Sequence, residues 1–442
     1  MSTSLALKKS TVASYQHEDA PDHSTRMTLL DRVGRRLLMQ KLDGLSGGTI
    51  DLTDASGTMR VGRDADLSTA LHVHRPAFFR HAALGGSLSV AESYLRGDWD
   101  CDDLTTLFRI FLRNPDATDQ LNRGISQIAK HVNRFYHTWH ANSKAGSRRN
   151  IHAHYDLGNE FFRLMLDDTL AYSSGIFVSP TSTLYDSSVE KFDRICRKLD
   201  LKPSDHLLEI GTGWGGMSLH AAENYGCRVT TATISQQQFD VARERITEAG
   251  LSGRVTLLLQ DYRDLTGQFD KLVSVEMIEA VGHRYLDTYF HKCSDLLKPN
   301  GTFVLQGIVM PDRHHAQYLK SVDFIQKYVF PGGCLPSMSS ILESTARVTD
   351  LRFVHGEDFG PHYAQTLREW RQRFHEHLDE VRELGYPDRF LRMWDYYLCY
   401  SEAAFDERYT GVVQIQFDKP LCRRDPIQVG TKAALSSQCS VW

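Results

Sequence analysis

The segment Leu207-Leu208-Glu209-Ile210-Gly211-Thr212-Gly213-Trp214-Gly215-Gly216 reads as a buried strand running into a glycine-rich turn that opens a helix. Glycines at such a turn let the backbone approach a ligand closely, and the free N–H groups of the helix start favour a polar or anionic group. That is the chemistry of nucleotide binding. Farther on, Gln260-Asp261-Tyr262-Arg263-Asp264 follows a strand-like run and offers a carboxylate for an adenine amino group and a ring for stacking. Glu279 stands among Met277, Ile278, Ala280 and Val281. An unpaired carboxylate there is costly and its pKa rises, so Glu279 either finds partners or serves as a base. The plain alternative is a Glu that opens an exposed helix.

The glycine loop alone does not choose its nucleotide. Gly211, Gly213 and Gly216 also satisfy the G-x-G-x-x-G pattern of dinucleotide sites. That fold expects an acidic residue at the end of the second strand, whereas Val229-Thr230-Thr231-Ala232-Thr233 continues into Ile234-Ser235-Gln236. With no acid there, and with Asp261 and Tyr262 after the third strand, adenosylmethionine suits the residues better. A dinucleotide and a mere strand-to-helix turn stay open at this level.

The elements that must position these groups alternate. Apolar, β-branched runs at 206–210, 228–232, 255–259, 271–275, 302–308, 351–355 and 411–417 predict strands. Helical text at 217–225, 236–249 and 285–297 has the length that parallel crossovers need. The expected fold is α/β, a doubly wound, seven-stranded Rossmann-like sheet, with extra helices from the text between 362 and 407 covering a deep pocket. A smaller mixed α+β domain is expected before it. The expected division is a disordered start (1–25), an N-terminal domain (26–122), a basic helix and linker (123–150), the catalytic domain (151–420) and a tail (421–442).

Composition narrows the class. The chain has 442 residues and a net charge of −4. No apolar stretch reaches the roughly 18 residues that cross a bilayer. The first twenty residues lack a secretory pattern, so a cytoplasmic address is expected. Eight cysteines carry no CxxC pair, which argues against a disulfide framework or a zinc site. From Arg123 to His154 there are six Lys and Arg, five His and no acid, with Ile125, Ile128, Val132, Phe135 and Trp139 along one helical face. The plain reading is a core-packing helix with a solvated basic back; the sharper one is a helix that meets anionic lipid headgroups.

Six motifs in one order resemble the cyclopropane fatty acid synthase family: His154-Tyr-Asp-Leu-Gly-Asn-Glu-Phe-Phe162, the glycine loop with Trp214, Thr233-Ile-Ser-Gln-Gln-Gln238, Gln260-Asp-Tyr-Arg-Asp-Leu265, Glu276-Met-Ile-Glu-Ala-Val-Gly282 and Lys327-Tyr-Val-Phe-Pro-Gly-Gly-Cys-Leu-Pro336. The resemblance implies a class I methyltransferase whose adenosylmethionine is contacted by Tyr172, Ser173, Glu209, Gly211, Gly213, Thr233, Gln238, Asp261 and Tyr262, with Trp214 and Gly215 in the turn. It also implies a bicarbonate ion acting as general base, held by Glu279, the backbone of Ile308, Tyr363 and two further residues. At those two positions the family's Cys and His are replaced by Ser174 and Gln306, which can still hydrogen-bond an anion. Ser174, Gln306 and Met277-Ile-Glu-Ala-Val281 look more like a branch that includes makers of methylene- or methyl-branched fatty acids.

The implied reaction is methyl transfer to the double bond of an unsaturated phospholipid acyl chain, giving a cyclopropane. The expected partners are those acyl chains and the inner membrane surface, met peripherally; nucleic acid is not expected, and a homodimer is allowed. An alkene is a feeble nucleophile, so the site must be dry and aromatic, with Phe161, Phe162, Tyr172, Tyr328, Phe330 and Tyr363 as candidate walls. His152 and His154 are better read as structural than catalytic. Rival readings are an O- or N-methyltransferase of a small molecule, and a binding protein whose base site has decayed at Ser174 and Gln306.

Overall fold

The computed structural model describes residues 26–63, 66–115, 142, 146 and 157–424. The 123–154 basic segment, apart from Asn142 and Gly146, lies outside the described residues, as do the two chain ends, His152 and His154. The N-terminal lobe opens with helix α1 (Leu29–Leu42), whose start is closed by a reciprocal cap between Thr28 and Asp31. Strands β1 (Gly48–Asp54), β2 (Gly57–Arg63), β3 (Ser68–Val73) and β4 (Trp99–Cys101) form a sheet of order β2-β1-β3-β4. Helices α2 (Ala77–Leu84), α3 (Gly86–Leu95) and α4 (Leu104–Arg113) pack with it around Leu38, Ile50, Leu71, Phe78, Trp99 and Ile110.

The second sheet holds β5 (His206–Ile210), β6 (Arg228–Thr233), β7 (Val255–Leu259), β8 (Phe269–Val275), β9 (Leu297–Val309), β10 (Arg352–Asp358) and β11 (Gly411–Asp418). Its order is β10-β11-β9-β8-β5-β6-β7, with β11 antiparallel to both neighbours and the other pairs parallel. The seven-stranded α/β expectation therefore holds. Strand β9 begins five residues earlier than its apolar run, because Leu297 pairs with Phe269 ahead of a register shift. Polar residues before the run hid that extension.

Strand order reverses between β5 and β8. In open α/β sheets ligands settle in the crevice beyond the strand ends at such a reversal. Helices α5 (Asn159–Met165) and α6 (Leu184–Leu199) precede β5, α7 (Gly216–Asn224) joins β5 to β6, and α8 (Gln236–Glu248) joins β6 to β7. Two long helices, α9 (Gly360–Glu376) and α10 (Asp388–Asp406), border the crevice through Tyr363, Leu367, Tyr396, Tyr397 and Tyr400.

Helix α10 also joins the lobes. Arg392 donates to the carbonyls of Tyr94 (2.7 Å) and Trp99 (2.9 Å) and lies 3.9 Å over the Tyr94 ring. Arg109 and Arg113 both reach Glu407, at 2.7 and 2.8 Å. One hydrophobic cluster consequently runs from Leu38 in α1 to Tyr397 in α10. Among the described residues no helix is long and apolar enough to cross a membrane, and no His/Cys/Asp/Glu group is arranged for a metal. The seven described cysteines are free thiols.

Candidate active site

A cavity of about 960 Å3 extends from the ends of β5 and β8 into the N-terminal lobe. At its sheet end the glycine turn takes backbone angles that side chains resist: φ is +99° at Gly211 and +52° at Gly213. A Cβ on Gly211 would press on Met277 at 3.2 Å, while the space beside Gly213 is open. Gly215, at φ +90°, caps α7 and faces Ala242 rather than the cavity. Trp214 is buried in the cavity wall, its Nε1 donating to Asn159 at 2.8 Å and its ring 4.9 Å from Phe162.

Polar groups ring this end. Glu209 Oε2 accepts from Ser218 Oγ and from Thr231 Oγ1 (2.6 Å). Burial pushes its pKa up to about 7, which the two hydroxyls partly offset. Thr233 Oγ1 donates to Gln238 Oε1 at 2.9 Å, and its position is fixed by the turn at Ser235. Asp261 is held by the Arg263 fork at 2.8 and 2.7 Å, and the same guanidinium lies 5.4 Å from the Tyr262 ring. Ser173 Oγ accepts from Lys191 Nζ at 2.7 Å. Tyr172 shares a 3.0 Å hydrogen bond with Tyr397. Ser173, Glu209, Gly211, Gly213, Thr233, Gln238, Asp261 and Tyr262 all border the cavity, so the residues present fit a nucleoside-bearing sulfonium.

The end of β8 is built differently. Glu276 stands in the left-handed region at φ +47°, which a non-glycine residue holds at a cost of order 1 kcal/mol or more. Its Oε1 accepts from Ser174 N (2.9 Å) and Gln306 Nε2 (2.8 Å), and its Oε2 from Tyr363 OH (2.7 Å). Burial raises its pKa, against those three donors and the nearby Lys191 ammonium. Glu279 follows in a short 3-10 turn, Ile278–Ala280. Its Oε1 accepts from Ile308 N at 2.5 Å, and its Oε2 is buried without a partner among the described residues. Burial and the neighbouring Glu276 carboxylate push Glu279 up to about 8. Gly307 makes room for the Ile278 side chain of that turn, since a Cβ there would meet it at 2.8 Å, while Glu279 Oε1 would lie at an ordinary 3.6 Å. Both residues border the cavity.

The five residues offered to bicarbonate thus do not converge on one open space. Ser174 N, Gln306 Nε2 and Tyr363 OH are spent on Glu276, and Ile308 N on Glu279. Ser174 and Gln306 do not border the cavity; Gln306 is further fixed by Gln414 at 3.0 Å, and Ser174 Oγ donates to the Gly175 carbonyl at 3.1 Å. The arrangement does not fit a bound bicarbonate. Of the aromatic candidates, Tyr172, Phe330 and Tyr363 line the cavity. Phe161 and Phe162 pack behind it on Trp394 and Trp214, and Tyr328 leaves it to donate to Glu92 at 2.9 Å.

Four contributors had no assigned role in the sequence reading: Glu276, Lys191, Tyr397 and Gln414. Lys191 was detectable, because it falls on the buried face of α6 with Leu184, Ser187, Ser188 and Ile195, where a lysine demands an explanation. Burial draws its ammonium down to about 8.

Residues 142–415 match the family model described as mycolic acid cyclopropane synthetase. The chain belongs to this cyclopropane synthetase family. It is 38% identical to the tuberculostearic acid methyltransferase UfaA1 of Mycobacterium tuberculosis, over 78% of this chain and 82% of that protein. It is also 38% identical to the cyclopropane-fatty-acyl-phospholipid synthase of Escherichia coli, over 79% of this chain and 87% of that one. Among solved structures, the cyclopropane synthase MmaA2 of M. tuberculosis superposes with a TM-score of 0.58 at 29% identity, covering 62% of this chain and 98% of its own. The mycolic acid cyclopropane synthase CmaA1, solved with SAH and CTAB, matches with a TM-score of 0.58 at 30% identity, over the same shares. As a cyclopropane synthetase family member the chain is an adenosylmethionine-dependent methyltransferase, which retires the dinucleotide and decayed-binder readings.

Proposed function

We propose that the protein transfers the methyl carbon of adenosylmethionine to the double bond of an unsaturated acyl chain of a phospholipid. The carrying observation is the single cavity that begins at the glycine loop, passes Glu276 and Glu279, and ends among Leu38, Ile50, Leu52, Leu71 and Trp99. A small polar nucleophile needs no apolar channel of that reach. Bound adenosylmethionine supplies an electrophilic methyl. The chain's own part is to seat the nucleoside with Glu209, Thr233, Gln238, Asp261 and Tyr262, to exclude water, and to soften developing positive charge with the ring faces of Tyr172, Phe330 and Tyr363. The names of the E. coli and M. tuberculosis relatives agree with a fatty acyl substrate.

A lipid surface is the natural source of such a chain. Helix α1 exposes Leu29 (76%), Leu30 (61%), Val33 and Leu37 on one side, with exposed Arg32 and Arg36 alongside. An apolar stripe flanked by arginines fits the boundary of an anionic bilayer.

Incubation with isotope-labelled adenosylmethionine and monounsaturated phospholipid vesicles, followed by mass spectrometry of the acyl chains, is the test. A gain of one CH2 unit is expected; an unaltered acyl pool ends the proposal. Cyclopropane is the first reading of the product. A methylene- or methyl-branched chain is the second, favoured by Ser174 and Gln306 and by the likeness to the tuberculostearic acid enzyme. NMR separates ring protons from vinyl protons.

A further inference from the structure

We infer that Glu276 is the general base of the alkylation, a carboxylate of the chain itself standing where a bound anion would otherwise serve. This rests on the acyl-chain reading above. The residues that would grip a small anion are present, but they close on Glu276: two N–H donors on Oε1 and the Tyr363 hydroxyl on Oε2. Oε2 keeps a lone pair, since a carboxylate oxygen takes two partners. Three donors aimed at one carboxyl favour its ionised form, because a protonated carboxyl would set its own hydrogen against them. The buried Lys191 ammonium adds to that preference.

Glu279 complements it. The Glu276 carboxylate opposes ionisation of its buried neighbour Glu279, so the pair keeps one proton. Glu279 has a single donor on Oε1 and a bare, buried Oε2, and is the member that carries it. The left-handed backbone at Glu276 is consistent with a side chain held in place by its surroundings, at a position where strain marks function.

The step balances. The alkene pair forms the new C–C bond to the methyl, the C–S pair returns to sulfur, and a cation remains on the acyl chain. Glu276 takes a proton from a C–H beside that cation, and the C–H pair closes either the ring or a C=C bond. The proton leaves Glu276 for water once product has gone.

The experiment measures acyl alkylation by the full-length protein in buffer stripped of carbon dioxide, with and without added bicarbonate, beside the variant Glu276→Gln. Wild-type turnover is expected to stay within about twofold across the bicarbonate range, and Glu276→Gln to lose roughly 100-fold or more, the scale of a lost general base. Adenosylmethionine affinity by calorimetry reports whether the variant is folded; should it not fold, the wild-type bicarbonate dependence decides alone. Wild-type activity that collapses without bicarbonate and returns with it overturns the assignment, as does near-normal turnover by Glu276→Gln. A wild-type chain that alkylates no lipid at any bicarbonate level overturns this inference and the acyl-chain reading together.

Discussion

The ends of β5 and β8 open on the same cavity, yet one is made from neighbours in the chain and the other from strangers. After β5, the glycines, Trp214 and the α7 start are consecutive, and Glu209 is tied by Ser218, nine residues on. After β8, Glu276 is held by Ser174, Gln306 and Tyr363, which lie 102, 30 and 87 residues away. The first design leaves a cradle of backbone for a ligand. The second uses up its donors internally and leaves two carboxylates coupled in a dry place. The glycine turn of a cofactor seat can therefore be a local motif, completed by Thr233, Gln238, Asp261 and Tyr262 from the next two strand ends, whereas a base site here is a property of the assembled fold.

The comparison breaks most visibly at the paired acids. Glu276→Gln is expected to cut turnover about 100-fold or more while adenosylmethionine affinity changes little, measured by product mass spectrometry and calorimetry. Glu279→Gln, which keeps the shape of a protonated carboxyl, should hold turnover within about tenfold; a loss as large as that of Glu276→Gln would hand the base role to Glu279. The converse change belongs to β5. Gly211→Ala puts a side chain at φ +99° against Met277, and should weaken adenosylmethionine binding roughly tenfold or more, about 1.4 kcal/mol. Unchanged affinity would show that the loop is not the seat.

Smaller effects sharpen the contrast. Leu29→Glu with Val33→Glu on α1 should reduce co-sedimentation with anionic vesicles roughly fivefold or more, since both lose apolar insertion and add a charge that anionic headgroups repel, and leave cofactor affinity alone. Retained sedimentation would place the lipid contact elsewhere. Last comes pH. Glu279 rises from its ordinary 4.5 to about 8, so the native state holds that proton more tightly than the unfolded chain does. The resulting stabilisation is complete below 4.5 and is lost as pH climbs through about 8. Melting temperature of the ligand-free protein should consequently fall between pH 6 and 9, and Glu279→Gln should flatten that slope. A parallel slope in the variant would assign the titration to Glu276 or Glu209, which shift in the same direction.

The same contrast explains what the amino-acid order reveals. All seven strands and the turn at 211–216 follow from period, β-branching and glycine placement, which act over a few residues. Glu279 was legible because a lone acid among Met277, Ile278, Ala280 and Val281 breaks the local pattern. Glu276 was not, although it stands three residues earlier, because nothing beside it in the chain announces Gln306 or Tyr363. Ser174 and Gln306 were read as substitutes at an anion site; the structure shows them gripping a side chain. Phe161 and Phe162 were placed in the pocket wall on their aromatic character, whereas a ring can equally support the wall from behind, as these do against Trp394 and Trp214.

The hollow that spans both lobes separates reach from reactivity. Its far end is bordered by Leu38, Ile50, Leu52, Leu71 and Trp99, all in the N-terminal lobe, whereas the nucleoside seat and the paired acids belong to the seven-stranded sheet. On the acyl-chain proposal, enlarging or filling those positions would alter how far an alkyl tail slides in, and hence which carbon stops opposite Glu276, with the reacting groups left as they are. Under that proposal the front lobe would be a depth gauge that can be recut while the machinery behind it stays constant.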